Sequence, residues 1–197
     1  MTSYFKPENS ALLLIDYQVG TLQICKTTPS DVALRNAVTL AKAALAFDMP
    51  VVLTASQEDQ IQGPVAEALQ HVLPKAYASR VQRVGIVNCW DDPKFKKAVV
   101  DTGRRQLIMG GITTDICLIF PAISAVKDGF EVQAVIDASG SPFEISEEMA
   151  RRRMEAAGVT LTATNTIVAE LVHDWATKQG GKLVPLLFAS APMVKVA

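Results

Sequence analysis

Apolar residues along this chain fall into two alternating patterns, and the alternation predicts the fold. Short, near-continuous runs rich in β-branched residues cover 11–16, 50–55, 106–112, 131–138 and 159–164, with a weaker one near 77–82; each has the length and composition of a strand. Between them, apolar positions recur at helical spacing over about 31–47, 64–72, 92–102, 115–128, 145–157 and 166–179. Strand and helix therefore alternate throughout. The run Ala11-Leu12-Leu13-Leu14-Ile15 has no polar face, which predicts burial on both sides, as in a parallel sheet covered by helices. The expected architecture is α/β: a three-layer α/β/α, Rossmann-like fold with a six-stranded, mostly parallel sheet in the order 3-2-1-4-5-6. Residues 1–197 are expected to form one domain. Ser30 is placed to cap the first long helix, and Gly129 and Gly158 to stop two later ones.

In such sheets a ligand sits beyond the carboxyl ends of the strands, where the strand order reverses, here between strands one and four. Strand one ends at Asp16, and strand four runs through Gly110-Gly111 into a helix whose first turn holds Cys117. Topology thus brings a carboxylate and a thiol to one crevice. A helix start offers unpaired N–H groups and the positive end of the dipole, so Cys117 is expected to ionise below the ~8.5 of a free cysteine. The competing reading is a buried, inert thiol.

Composition removes several alternatives. With 49% hydrophobic residues in 197, the chain has material for one sizeable core. A net charge of −1 and the lack of a basic stripe interleaved with aromatics give no reason to expect nucleic acid. The run Arg151-Arg152-Arg153 lies among Glu147, Glu148 and Glu155, which predicts an ion-paired solvated face. After strand one stands Asp16-Tyr17-Gln18-Val19-Gly20 rather than a Gly-x-Gly-x-x-Gly turn, and no P-loop occurs, so a dinucleotide is not expected. Cys25, Cys89 and Cys117 are too irregularly spaced for a disulfide framework or a metal site. His71 and His173 fall in predicted helices with no link to Cys117, against a Cys–His pair. The first nine residues lack the features of a signal peptide, and no apolar run approaches the ~18 residues of a membrane span. A cytoplasmic protein away from membranes, with a small-molecule partner, is expected.

Four motifs in order, Leu14-Ile15-Asp16-Tyr17-Gln18, Gly85-Ile86-Val87-Asn88-Cys89-Trp90-Asp91, Gly110 to Cys117 with Phe120-Pro121-Ala122, and Asp137-Ala138-Ser139-Gly140, resemble those of the isochorismatase-like cysteine hydrolases, in their YcaC-like branch. The resemblance runs from about 11 to 175. It implies a catalytic triad of Asp16, Arg83 and Cys117, with arginine where most of the superfamily has lysine. Guanidinium effectively does not lose its proton, so Arg83 is expected to hold Asp16 ionised and steady the thiolate, leaving Asp16 as the proton acceptor. The implied chemistry is attack of Cys117 on an amide, ester or related C–N bond, followed by hydrolysis of a thioester. The resemblance also implies oxyanion donors at the Thr113 and Cys117 N–H groups and a cis peptide at Ile112–Thr113. Related enzymes bind a metal after strand two, but Ser56-Gln57-Glu58-Asp59-Gln60 has no histidine. No metal or cofactor is expected, and Glu58 and Asp59 read as solvated loop carboxylates. Gln18, Gln57, Asn88, Trp90 and Phe120 are candidate pocket residues. YcaC-like proteins form rings, so a homo-oligomer is expected, with the apolar stretch 183–188 either packed on its own domain or at an interface. Two alternatives stay open: a thiol-bearing binding or redox-sensing protein on the same scaffold, with little turnover, and a purely structural role in assembly.

Overall fold

The computed structural model describes residues 4–190. Its strands are β1 (Ser10–Ile15), β2 (Val51–Ser56), β3 (Val81–Arg83), β4 (Gln106–Gly111), β5 (Glu131–Val135) and β6 (Thr160–Thr162). They form one sheet in the order β3-β2-β1-β4-β5-β6, with every pairing parallel. The helices are α1 (Val19–Ile24), α2 (Ser30–Ala46), α3 (Glu67–Val72), α4 (Pro74–Ala78), α5 (Pro93–Val100), α6 (Ile119–Lys127), α7 (Glu144–Ala156), α8 (Thr164–Val172) and α9 (Lys178–Ser190).

Alternate residues of β1 explain the three layers. Leu12 and Leu14 pack with Ala37, Leu40, Leu69 and Ile167, from α2, α3 and α8. Ala11, Leu13 and Ile15 point the other way, onto Phe95, Val99, Ile119 and Met154 from α5, α6 and α7. All six residues of β1 are buried, as a strand in the middle of a doubly covered sheet must be. The two glycine stops act as expected. Gly129 N–H donates to Val126 O at 2.9 Å while Phe130 N–H reaches back to Ala125 O at 3.0 Å, and Gly158 and Val159 repeat the pattern at 3.0 Å each on Glu155 and Met154. This double closure is the Schellman motif.

Several expected boundaries move. Tyr77 lies in α4, not in a strand, because Pro74 opens a helical turn there. The helix expected from 64 begins at Glu67, since Val65 is held extended by a bridge to Gln18. The fifth strand stops at Val135 and tightens into a 3-10 turn, Ile136–Ala138. Pro29, not Ser30, stands at the N-cap of α2, with no side-chain cap. The last expected helix breaks at His173, whose φ is +57°, and α9 follows. Leu183 of α9 is buried in the α2 and α8 core, where Leu186 and Leu187 also pack, while Phe188 stays exposed. The apolar stretch at 183–188 therefore packs largely on its own domain. Between β4 and α6 lies a single π-helical turn, Thr114–Leu118, and it carries the cysteine.

Candidate active site

Asp16 follows β1 with φ +58°, a left-handed conformation that aspartate tolerates better than most residues. Its N–H bonds Thr54 O at 3.0 Å, and the residue is 1% exposed. Arg83 ends β3, two strands away, so its side chain must cross β2, about 9–10 Å of sheet. Thr54 of β2 is its stepping stone: Arg83 Nε donates to Thr54 Oγ1 at 3.0 Å, while Thr54 Oγ1 donates to Val81 O at 2.8 Å. Beyond it, Nη1 donates to Ile86 O at 2.8 Å and Nη2 forms a buried ion pair with Asp16 Oδ1. Each guanidinium nitrogen therefore has its own acceptor.

Cys117 comes from the other side of β1. Thr113, after the cis Ile112–Thr113 peptide, accepts from Cys117 N–H at 2.8 Å and Leu118 N–H at 3.1 Å. That sharing winds the π turn, a feature often found at functional sites. The turn is braced from outside by Thr114 N–H on Gly140 O at 2.9 Å and Asp115 N–H on Ser141 Oγ at 3.2 Å. Buried Glu147 accepts the Ser141 hydroxyl at 2.6 Å and is paired with Arg151 at 2.9 Å. The Cys117 thiol and the Asp16 carboxyl lie close enough to shift each other's ionisation.

Electrostatics here reverse the expectation for the thiol. Burial, then the charge of Asp16 and the hydrogen bond to it, push the Cys117 pKa well above that of a free cysteine; the Thr113 contact and Arg83 oppose this. The helix-start effect loses because the turn is short and its N–H groups are taken by Thr113 O, Gly140 O and Ser141 Oγ, while desolvation penalises the thiolate directly. Asp16 also moves up: burial outweighs the Arg83 charge, the Arg83 hydrogen bond and the Cys117 hydrogen bond, all of which lower it.

A cavity of about 220 Å³ opens over these three residues. Thr21, Ser56, Gln57 and Gln62 form its polar wall, and Ile86, Val87 and Ile116 an apolar rim. The Thr113 N–H makes no hydrogen bond among the described residues, whereas the Cys117 N–H is engaged with Thr113 O.

Of the pocket candidates, only Gln57 lines the cavity. Gln18 is fully buried behind it as a brace: its amide nitrogen donates to Ser56 O at 2.9 Å and Gly63 O at 2.5 Å, and its oxygen accepts from Ser56 N at 2.8 Å. Asn88 bonds Ser124 at 3.1 Å and caps Trp90. Trp90 is buried edge-on to Phe95 and Phe130, with its indole N–H on Asp128 at 2.8 Å. Phe120 packs on the α5–α7 core with Arg153 over its ring at 5.7 Å. These three sit on the helix-covered face behind the turn. Glu58 is not a solvated carboxylate either; Arg80 grips it through two bonds of 2.8 Å, while Asp59 is exposed. Among the described residues no cluster of three or more His, Cys, Asp or Glu could hold a metal ion, and no helix is long and apolar enough to cross a membrane.

Sequence reading missed Thr54, Thr21 and Gln62. Thr54 carried a signal, being a hydroxyl inside an otherwise apolar strand; Gln62 carried none, since the loop that folds it over the crevice has no periodicity.

Comparison with known proteins agrees with this geometry. The family model described as isochorismatase domain matches residues 10–166. The Escherichia coli (strain K12) protein named Probable hydrolase YcaC is 37% identical over 167 residues, spanning 85% of this chain and 79% of that one. YcaC from Pseudomonas aeruginosa, solved with hexane-2,5-diol and covalent acrylamide, superposes with a TM-score of 0.90 at 35% identity, covering 96% of this chain and 95% of that one. The Escherichia coli YcaC crystal structure, an octameric hydrolase of unknown specificity, gives 0.89 at 35% identity, covering 96% and 91%. The chain belongs to the isochorismatase family, in its YcaC-like branch.

Proposed function

We propose that this chain is a cysteine-dependent hydrolase of a small-molecule amide, ester or related C–N bond. The observation that carries the reading is the meeting of Cys117, Asp16 and Arg83 at the floor of one small cavity. At rest the proton stays on sulfur. As the sulfur attacks the carbonyl carbon, Asp16, the carboxylate in the same cavity, takes that proton and then delivers it to the departing nitrogen or oxygen. Water, deprotonated by Asp16, hydrolyses the thioester and returns the thiol. Arg83 fixes Asp16 and exchanges no proton. The developing oxyanion is assigned to the Thr113 N–H, with the Cys117 N–H turning partly from Thr113 O to join it.

The cavity is smaller than the ~300–1,000 Å³ typical of drug-sized ligands, which fits a metabolite-sized substrate. A free nucleophilic thiol suits a reducing, cytoplasmic compartment. The octameric neighbour and the exposed Val84, Val87, Phe143 and Ile145 of this chain favour a homo-oligomer, including a ring-like one. Light scattering would measure it.

The test is a panel of small amides and esters assayed with the native protein and Cys117→Ala, with intact mass taken during turnover. Hydrolysis abolished in the variant and a transient acyl increment on the native chain are expected. The second reading is a thiol-bearing binding or redox-sensing protein with little turnover; an adduct that forms and never turns over selects it.

A further inference from the structure

Gln62, one of the polar residues lining the cavity, carries an acceptor with no hydrogen-bond partner among the described residues. Gln62 Nε2 donates to Gln57 Oε1 at 3.0 Å, which turns the other end of the carboxamide away from Gln57. That end, Oε1, is buried and has no hydrogen-bond partner among the described residues. Burying an acceptor without a donor is unfavourable, and the side chain that carries it belongs to a residue lining the cavity that holds Cys117.

The position of Gln62 is built in. Gly20 N–H donates to Gln62 O at 2.8 Å, and Val19 N–H to Pro64 O at 3.0 Å. The approach is so close that a Cβ on Gly20 would lie 2.0 Å from Ile61 O. Within the loop, Gln60 N–H closes on Gln57 O at 2.9 Å and Gly63 N–H on Gln60 O at 3.0 Å. A rigid support of this kind holds a recognising group in place before the ligand arrives.

Charge narrows the ligand. Asp16 and Arg83 are the only charged side chains among the described lining residues, and they neutralise each other. Each Arg83 nitrogen already donates to an acceptor inside the protein, and its charge is spent on Asp16 rather than held for a substrate carboxylate. The rim formed by Ile86, Val87 and Ile116 is apolar.

We propose that Gln62 determines specificity in this cavity: its Oε1 accepts a hydrogen bond from the amide N–H of a small, uncharged substrate. This rests on Cys117 being the nucleophile of the same cavity, and it selects primary and secondary amides over esters and fully N-alkylated amides.

Two thiol-directed probes that differ in that donor make the test independent of the natural substrate: acrylamide, which carries N–H, and N,N-dimethylacrylamide, which does not. In each, sulfur bonds to the terminal alkene carbon, the C=C π bond breaks, and the thiol proton ends on the α-carbon, so the protein gains one reagent mass. Rates of mass gain on the full chain, divided by those of glutathione with the same reagents, remove intrinsic reactivity. Native protein is expected to favour acrylamide about 3- to 10-fold, the range of one neutral hydrogen bond. Gln62→Met should erase that preference by slowing acrylamide alone. Gln62→Glu keeps an acceptor, with Gln57 rotating its amide to donate, and should retain the preference. An unchanged acrylamide rate in Gln62→Met overturns the proposal. If Gln62→Met slows both reagents alike, Gln62→Glu decides: a retained preference supports the proposal, a lost one overturns it. Adducts on Cys117 without discrimination overturn the role of Gln62 alone; no adduct on Cys117 overturns it together with the reading of Cys117 as nucleophile.

Discussion

Replacing Arg83 with methionine removes the counter-charge of a carboxylate that is 1% exposed and leaves Asp16 with only the thiol beside it. An adjacent arginine lowers a carboxyl pKa by about 1–3 units, equivalent to about 1.4–4 kcal/mol. The bonds to Thr54 and the Ile86 carbonyl add about 1 kcal/mol each. The variant should therefore lose about 3–5 kcal/mol, the usual cost of stripping one partner from a buried ion pair. The pH dependence has a definite sign. Burial already raises Asp16 above 3.8 in the native fold, so its contribution to stability is full below that value and is lost as pH rises through the folded pKa. In Arg83→Met the folded pKa is higher still, the loss extends to higher pH, and the gap between the two proteins widens from acid to alkaline conditions. Urea denaturation of both at about pH 5 and about pH 8 measures it. A gap that stays constant with pH, or one below about 1 kcal/mol, would show that Asp16 does not depend on Arg83.

Asp16→Asn removes the proton acceptor while keeping the shape, and should slow hydrolysis of any substrate found by about 10²–10⁴-fold, read from kcat/KM. Because the Cys117 pKa lies above that of a free cysteine, its alkylation by iodoacetamide should still be climbing with pH above ~8.5; a plateau near neutrality would contradict the assigned shift. Gly20→Ala places a Cβ 2.0 Å from a backbone oxygen, so a loss of at least about 1–3 kcal/mol in denaturant is expected, and a variant as stable as the native protein would argue against the tight approach of α1 to the 61–62 segment.

What could be read in the sequence was set by periodicity and topology. Leu12 and Leu14 against Leu13 and Ile15 announce two buried faces, and the reversal of strand order between strands one and four then brings Asp16 and Cys117 together. Gly129 and Gly158 marked helix ends because a Schellman closure has few other solutions. The failures have equally specific causes. Trp90 and Phe120 share motifs with the site but face the helical layer, since neighbours in a motif need not point the same way. Tyr77 fell to a helix because Pro74 sets a turn that a strand pattern does not register. The thiol was misjudged because a one-dimensional argument sees a helix start and not the carboxylate that folds against it.

That misjudgement bears on mechanism. A cysteine ionised at rest would not need Asp16 to take its proton; with both groups raised, each resists charge, and neither ionises cheaply alone. Substrate changes the balance. In the proposed reaction, as a carbonyl carbon takes the sulfur electrons, negative charge leaves the thiol side for the oxyanion donors, and the proton moves to a carboxylate whose raised pKa makes it a stronger base. Arg83 keeps this arrangement from collapsing to neutral Asp16 before the substrate arrives, and its three fixed acceptors on Asp16, Thr54 and Ile86 need the fork of a guanidinium. A lysine could supply the charge at one point but could not hold all three directions. Arginine in this position therefore suits the strand order of this chain: from two strands away it both reaches Asp16 and is anchored along the way.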